Sequence, residues 1–98
     1  MSWNDLNKPQ LASLISSGTL DDVDLTFAAE HLGRLAHDDS AFARRALTPL
    51  LSHESPLVRE GALYGLDGHL DADLYERVTA IAHGDPSRGV REAAAGLL

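Results

Sequence analysis

The 98-residue chain contains no cysteine. Without thiols it has no disulfide, no thiolate nucleophile and no cysteine-ligated zinc, and this composition suits a reducing compartment. The chain also lacks any run of about 18 apolar residues, and its first residues show no basic segment followed by an apolar one. We therefore expect a cytoplasmic protein that is not associated with membranes.

Sequence signatures of catalysis and metal binding are missing as well. There is no Gly-x-Ser-x-Gly elbow, no glycine-rich phosphate loop followed by Lys, no His-Glu-x-x-His and no calcium loop of the EF-hand type. The acid pairs Asp38-Asp39 and Asp71-x-Asp73 stand where helices are expected to begin, which favours a capping role. We expect no enzymatic activity, no cofactor and no bound metal.

Basic residues are few. Eight Lys and Arg stand against fifteen Asp and Glu, which gives a formal net charge of −7. Nucleic acids and anionic membranes require clustered cations, and the arginines here are spread along the sequence. The adjacent pair Arg44-Arg45 is expected to lie in solvent on the exposed face of a helix. We predict that nucleic acid is not a partner.

What the chain does contain is a repeated segment. Positions 55–62 read SPLVREGA and positions 85–94 read DPSRGVREAA, with the Val-Arg-Glu triplet displaced by 32 positions, from Val58 to Val90. Each copy opens with a small polar residue and Pro, which fits a helix N-cap and first helical position. Ala and Gly follow, and they allow another helix to approach closely. The repeat predicts a stack of helices, an architecture that serves mainly as a binding surface.

The motif Pro-x-Val-Arg-Glu-x-Ala, preceded by an amphipathic helix, resembles the second helix of a HEAT repeat. The closest resemblance is to the short HEAT-like form of phycobilisome-lyase-related and bacterial adaptor proteins. It implies an all-α solenoid of about three antiparallel helix pairs, six helices in all, in a single domain covering residues 1–98. The repeats would span about 9–36, 40–70 and 71–98. The first has Leu25-Thr26 where Val-Arg is expected, which is typical of a degenerate capping repeat.

The predicted helices run over about 9–17, 23–36, 40–52, 56–70, 72–82 and from Pro86 to the C-terminus. Their expected N-caps are Asp21 or Asp22, Asp39 or Ser40, Ser55, Asp71 and Asp85. Glycines at 33, 61, 65, 68, 89 and 96 are expected inside helices, where they permit close packing or ease bends. The resemblance further implies that Arg59 and Arg91 have structural roles, bonding to a nearby acid such as Glu54 or Asp85.

Four of the five histidines stand at expected helix ends. His37, His53 and His69 are 16 residues apart and His83 follows 14 residues later. Because consecutive helices run antiparallel, His37 and His69 are expected at one edge and the other two at the opposite edge. That dispersal argues against a metal site and favours capping of C-terminal carbonyls.

A candidate binding surface follows from the residues that the repeat leaves uncovered. Apolar residues at helical spacing predict the inward faces, which comprise Leu25, Ala28, Ala29, Leu32, Val58, Gly61, Ala62, Gly65 and Leu66. The opposite face of these second helices would form the concave surface. Its predicted partner-binding residues are Phe27, His31, Glu60, Leu63, Tyr64, Asp67 and Glu92. Aromatic anchors among polar residues are typical of protein interfaces, although a one-residue error in phase would instead place Phe27 or Tyr64 in the core.

The two ends of the stack raise separate expectations. Trp3 and Leu6 are expected to fold over the first repeat. The last helix carries an apolar face of Val90, Ala94, Leu97 and Leu98 with no cap helix after it. We expect either self-association through this face or a chain that is a fragment of a longer repeat protein.

These patterns favour a non-catalytic protein interaction module, or adaptor, that binds a protein partner. An alternative is a small acidic inhibitor of the immunity or antitoxin type, which would cover the positive cleft of a basic toxin or nuclease. Its association rate should fall with salt. A third possibility is an accessory subunit of a lyase or another enzyme, which would need a pocket with converging polar groups.

Overall fold

The computed structural model describes residues 5–98, and this part of the chain contains helices and no strand. The α-helices are α1 (Lys8–Ser16), α2 (Asp22–Leu35), α3 (Ser40–Leu47), α4 (Pro56–Leu66), α5 (Ala72–Gly84) and α6 (Arg88–Ala95). A 3₁₀ helix, Thr48–Ser52, continues α3. The predicted all-α class and six helices are confirmed. Among the described residues, no helix combines the length and apolar character that a membrane crossing requires.

Side-chain caps define the start of most helices. The carboxylates of Asp21, Asp39 and Asp71 accept hydrogen bonds from backbone N–H groups three residues later, at 2.8, 3.2 and 2.9 Å. Asn7 and Gln10 form a reciprocal capping box at the start of α1. The three predicted aspartate caps are thus confirmed, and they account for a part of the acidic composition without reference to function.

The start of α6 differs from the prediction. The helix begins at Arg88, and the Ser87 hydroxyl accepts the cap hydrogen bond from the N–H of Val90 at 3.4 Å. Pro86 lies in the preceding loop, so its expected place as first helical residue and the capping role of Asp85 were wrong. The physical reason is that the Asp85 carboxylate is held by an arginine of another helix. Ser55 occupies the N-cap position of α4, but its side chain makes no cap hydrogen bond.

Two other helices are shorter than expected. Pro49 cannot donate a backbone hydrogen bond, and the segment predicted as one helix over 40–52 changes from α to 3₁₀ geometry at Thr48. Helix α4 ends at Leu66, and Gly68 follows in a turn with a φ of 83°. Gly68 therefore lies outside the helix, contrary to the prediction, in a left-handed conformation that glycine adopts without strain.

We call α1 with α2, α3 with α4, and α5 with α6 the first, second and third helix pairs, since the two helices of each are in contact. Helices α2, α4 and α6 lie side by side, and α1, α3 and α5 pack on them in that order. The Cα atoms span 36 × 27 × 17 Å. The predicted inward residues are buried in this packing. The largest fully buried side chains are Leu11, Leu32, Leu47, Leu63, Leu66, Val58, Val78 and Val90.

Glycine permits an unusually close contact between α2 and α4. A Cβ atom added at Gly33 would lie 2.6 Å from the Cα of Gly65, and one added at Gly61 would lie 2.7 Å from the Cγ2 of Thr26. Real side chains do not tolerate such distances. The predicted role of these helical glycines in close packing is confirmed at this contact, which fixes α2 and α4 as neighbours.

A largely buried ion pair joins the second helix pair to the third. The Arg59 guanidinium donates to both carboxylate oxygens of Asp85 at 3.0 and 3.1 Å, and to the backbone carbonyls of His53 and Glu54 at 2.8 and 3.0 Å. Arg91 donates to the Asp85 carbonyl at 2.7 Å. The structural roles predicted for both arginines are confirmed, and the acid is Asp85 whereas Glu54 contributes only its carbonyl.

The environment of Asp85 favours its charged form. Burial by itself would raise the pKa of the carboxyl. The hydrogen bonds from Arg59 and from the Ser87 N–H, together with the charges of Arg59 and Arg91, outweigh burial and hold the pKa of Asp85 below its ordinary value of 3.8. The ionised carboxylate is therefore part of the folded structure.

His69 joins the first helix pair to the second. Its side chain is buried, Nε2 donates to the carbonyl of Gly33 at 2.9 Å, and Nδ1 accepts from the Ser40 hydroxyl at 2.7 Å. Because a carbonyl only accepts, Nε2 carries the proton. His69 does bond a carbonyl near a helix C-terminus, as predicted, but that carbonyl belongs to α2. Arg44 donates to the His69 carbonyl at 2.9 Å and pairs with Asp71 at 3.2 Å. The expectation that Arg44 simply lies in solvent was therefore wrong.

Candidate protein-binding surface

The exposed side of α2, α4 and α6 carries most of the predicted binding residues, and we call it the outer face. Phe27 on α2 and Tyr64 on α4 are 55% and 51% exposed. Neither aromatic ring has rotated into the core, so the predicted helical phase is right for both. Asp67 and Glu92 are also exposed, and Glu60 is half-buried.

Leu63 does not belong to this surface, because its side chain is fully buried. Its predicted place among the partner-binding residues was wrong. Helix α4 is central and packs against α2 on one flank and α6 on the other, so its buried arc is wider than a single apolar stripe. His31 is half-buried, and within residues 5–98 its Nε2 atom has no hydrogen-bond partner.

Two grooves run along the outer face, one on each side of α4. The α2–α4 groove has a volume of about 440 Å³ and is lined by Glu30, Arg34, His37, Tyr64, Asp67 and His69 with three glycines. The α4–α6 groove has a volume of about 300 Å³ and is lined by Glu60, Tyr64, Asp67 and Glu92 with small residues of α6 and Leu97. His37 and His69 thus lie at one edge of the molecule, as predicted.

Tyr64 and Asp67 line both grooves, so they form the ridge between them. The structure brings together four of the predicted residues, which are Glu60, Tyr64, Asp67 and Glu92. Phe27 and His31 line neither groove.

Acids dominate the α4–α6 groove. Its charged lining residues are Glu60, Asp67 and Glu92. Glu92 pairs with Arg88 at 2.9 Å, but both side chains are largely in solvent, where such a pair contributes little. Gly89 makes room for the Glu60 carboxylate, since a Cβ atom there would lie 3.0 Å from Glu60 Oε1. This groove can accept hydrogen bonds and positive charge from a partner.

Within residues 5–98, no three His, Asp or Glu side chains are grouped closely enough to hold a metal ion. The two grooves offer an aromatic ring, carboxylates, one arginine, two histidines and small residues as their lining groups.

The apolar face predicted at the C-terminal helix is mostly internal. Val90 and Ala94 are fully buried within the chain. The expectation that they are exposed for self-association was therefore wrong. Leu97 is partly buried and Leu98 is 45% exposed. At the other end, Leu6 packs against the core as predicted, while Trp3 lies outside the described residues.

The sequence analysis missed a cluster of arginines. Arg44 and Arg45 on α3 and Arg77 on α5 line one groove between these helices. The signal was present in the sequence, because Arg45 and Arg77 are 32 positions apart, which is the displacement of the repeat. The prediction that the arginines are dispersed does not hold for these three.

Comparisons of the chain with protein-family models, with curated proteins and with solved structures found no match.

Proposed function

We propose that the chain is a HEAT-like stack of three antiparallel helix pairs that acts in the cytoplasm as a non-catalytic protein-binding module. The order of packing supports the stack, since α2, α4 and α6 are consecutive neighbours and each carries one of α1, α3 and α5. The outer face of α2, α4 and α6 is the proposed binding surface. Leu97 and Leu98 are the proposed surface for self-association, because they are the members of the predicted C-terminal face that are not fully buried.

The observation that carries this proposal is the position of Tyr64. Its ring is half exposed on the central helix and lines a groove on either side. A tyrosine side chain buries a large apolar area at low entropic cost and keeps a hydroxyl for hydrogen bonding. Residues of this type near the centre of an interface often contribute most of the binding free energy.

A second candidate function is inhibition of a basic protein. The observation that favours it is the α4–α6 groove, whose charged lining residues are all acidic, in a chain of net charge −7. Such a surface steers a positively charged partner during encounter and complements its cleft after docking.

The test begins with affinity capture from native host extracts using the full chain, and the captured protein is then purified. Binding to it is measured with parent protein, Tyr64→Ala and Tyr75→Ala. Tyr75 is a matched control, because it is 50% exposed but lies on α5, outside both grooves. We expect Tyr64→Ala to weaken binding by about 2 kcal/mol or more, or about 30-fold, and Tyr75→Ala to leave it unchanged.

Charge reversal separates the two candidates. For an inhibitor of a basic protein, Glu60→Lys and Asp67→Lys should slow association steeply, and added salt should slow the parent in the same way. For a general adaptor these changes should be smaller than that of Tyr64→Ala. If all three variants fold and bind like the parent, the outer face is not the binding surface.

A further inference from the structure

The layer opposite the outer face contains a groove of different chemistry. Helices α3 and α5 make little direct contact, and the space between them forms a groove of about 470 Å³. Arg44, Arg45 and Arg77 line it together with Asp71 and Asp73. Three of the eight basic residues of an acidic chain thus converge at one place. The charged lining carries three positive and two negative groups, a net charge of +1.

Two of these arginines are not neutralised by the protein. Arg44 pairs with Asp71 at 3.2 Å, so those two charges offset each other. Neither Arg45 nor Arg77 forms an ion pair within residues 5–98. Both residues are exposed. The groove therefore has two cationic groups free to bind an anion.

Both arginines are nevertheless held in place by uncharged partners. Nη2 of Arg77 donates to the Ser52 hydroxyl at 2.7 Å, which directs the side chain from α5 toward the 3₁₀ helix. Arg45 lies on the ridge between this groove and a neighbouring one that is lined by α1 and α3, and its guanidinium carbon is 5.4 Å from the centre of the Phe42 ring, which belongs to that neighbouring groove. Neutral contacts of this kind reduce the side-chain entropy that a ligand must remove, and they leave the charge uncompensated.

The remaining lining selects the kind of anion. Thr48, Pro49 and Leu74 supply apolar surface between the charged groups. Asp73 lies one turn before Arg77 on α5 and repels negative charge at the N-terminal end of that helix. An anionic group is therefore accepted at the end of the groove away from Asp73. Inorganic phosphate has no apolar part to bury, whereas a peptide can place a carboxylate on the arginines and an aliphatic side chain on Pro49.

We propose that the α3–α5 groove binds an acidic, partly apolar peptide segment of a protein partner, with Arg45 and Arg77 as the carboxylate-binding residues. This site lies in the layer opposite the outer face and does not depend on the function proposed there. Charge complementarity identifies the occupant, since the chain is acidic as a whole, Arg77 lines this groove without an ion pair, and Arg45 stands unpaired at its edge.

The experiment uses the full chain and a fluorescein-labelled peptide of alternating Glu and Leu, with fluorescence anisotropy at low ionic strength. We expect saturable binding that weakens as salt is added. A peptide of alternating Gln and Leu should not bind, and excess inorganic phosphate should compete poorly. The double variant Arg45→Gln/Arg77→Gln should bind about tenfold more weakly, as expected for the loss of two exposed ion pairs.

Arg34→Gln is the matched control. Arg34 is an exposed arginine without an ion pair among the described residues, but it lies on α2 in the outer face. Its replacement by Gln removes one positive charge, as each of the two substitutions in the double variant does. Its variant should bind the Glu-Leu peptide like the parent, and thermal melting should show that all variants remain folded. The proposal is overturned if the Glu-Leu peptide does not bind, if the Gln-Leu peptide or phosphate binds equally well, or if Arg34→Gln matches the double variant.

Discussion

Replacement of Asp85 by Asn tests the contact that joins the second and third helix pairs. The side chains of Arg59 and Asp85 are 12% and 8% exposed, and they share two hydrogen bonds. Removal of one partner from a buried ion pair costs about 3–5 kcal/mol. Asn keeps the shape of Asp and one acceptor oxygen, and Arg59 keeps its bonds to two carbonyls. We therefore expect a loss of about 2–3 kcal/mol in the free energy of unfolding at neutral pH.

The loss should also depend on pH. The pKa of Asp85 is lowered in the folded state, so its contribution to stability is complete at neutral pH, is lost as the pH falls from about the ordinary value of 3.8 through the lowered pKa, and is absent below that pKa. Urea denaturation followed by far-ultraviolet circular dichroism measures the difference between the parent and Asp85→Asn. This difference should shrink through that acidic range.

Asp38→Asn is the control for this substitution. It removes the same charge from a carboxylate whose side chain is 70% exposed and lies 3.8 Å from the Lys8 ammonium. An exposed pair of this kind contributes at most about 1 kcal/mol. The reasoning is refuted if Asp85→Asn is no more destabilising than Asp38→Asn, or if its effect is the same at acidic and neutral pH.

The remaining predictions concern packing. Gly33→Ala should destabilise strongly, by about 2 kcal/mol or more in urea denaturation, because its methyl group would meet the Gly65 backbone, whereas Gly84→Ala, which meets no atom within 4 Å, should be neutral or slightly stabilising. Leu63→Ala should cost about 2–5 kcal/mol because the side chain is fully buried. Tyr64→Ala should change the free energy of unfolding by no more than about 0.5 kcal/mol, because half of the side chain is exposed. A larger loss of stability would show that the ring is part of the core.

Local signals were sufficient to predict the helices, because caps and apolar spacing act within one or two turns. Asp21, Asp39 and Asp71 stand at the predicted starts and make the expected bonds. The start of α6 was misplaced because proline served as its marker. The serine pair was the better guide, since Ser55 and Ser87 share the 32-residue displacement of Val58 and Val90.

The features that the sequence did not predict depend on how the helices are arranged in space. Helical periodicity describes a helix with one buried side, and it fails for Leu63 because α4 has neighbours on both flanks. The 32-residue spacing of Arg45 and Arg77 indicates equivalent positions on two helices, but only the arrangement in space shows that α3 and α5 enclose one groove. Exposure of Phe27 and Tyr64 could be predicted, since it needs only the phase of each helix.

The hydrogen bonds between helix pairs have a consequence for how the chain unfolds. His69 of the second pair bonds the Gly33 carbonyl of the first, and Arg59 of the second pair binds Asp85 in the third. If any one pair unfolds, a neighbour is left with a carbonyl or an ion without its partner. Partly unfolded forms are therefore penalised, and amide hydrogen exchange in α2, α4 and α6 should proceed through a single cooperative opening. The middle pair, which takes part in both links, cannot be removed without loss of cooperativity in the whole domain.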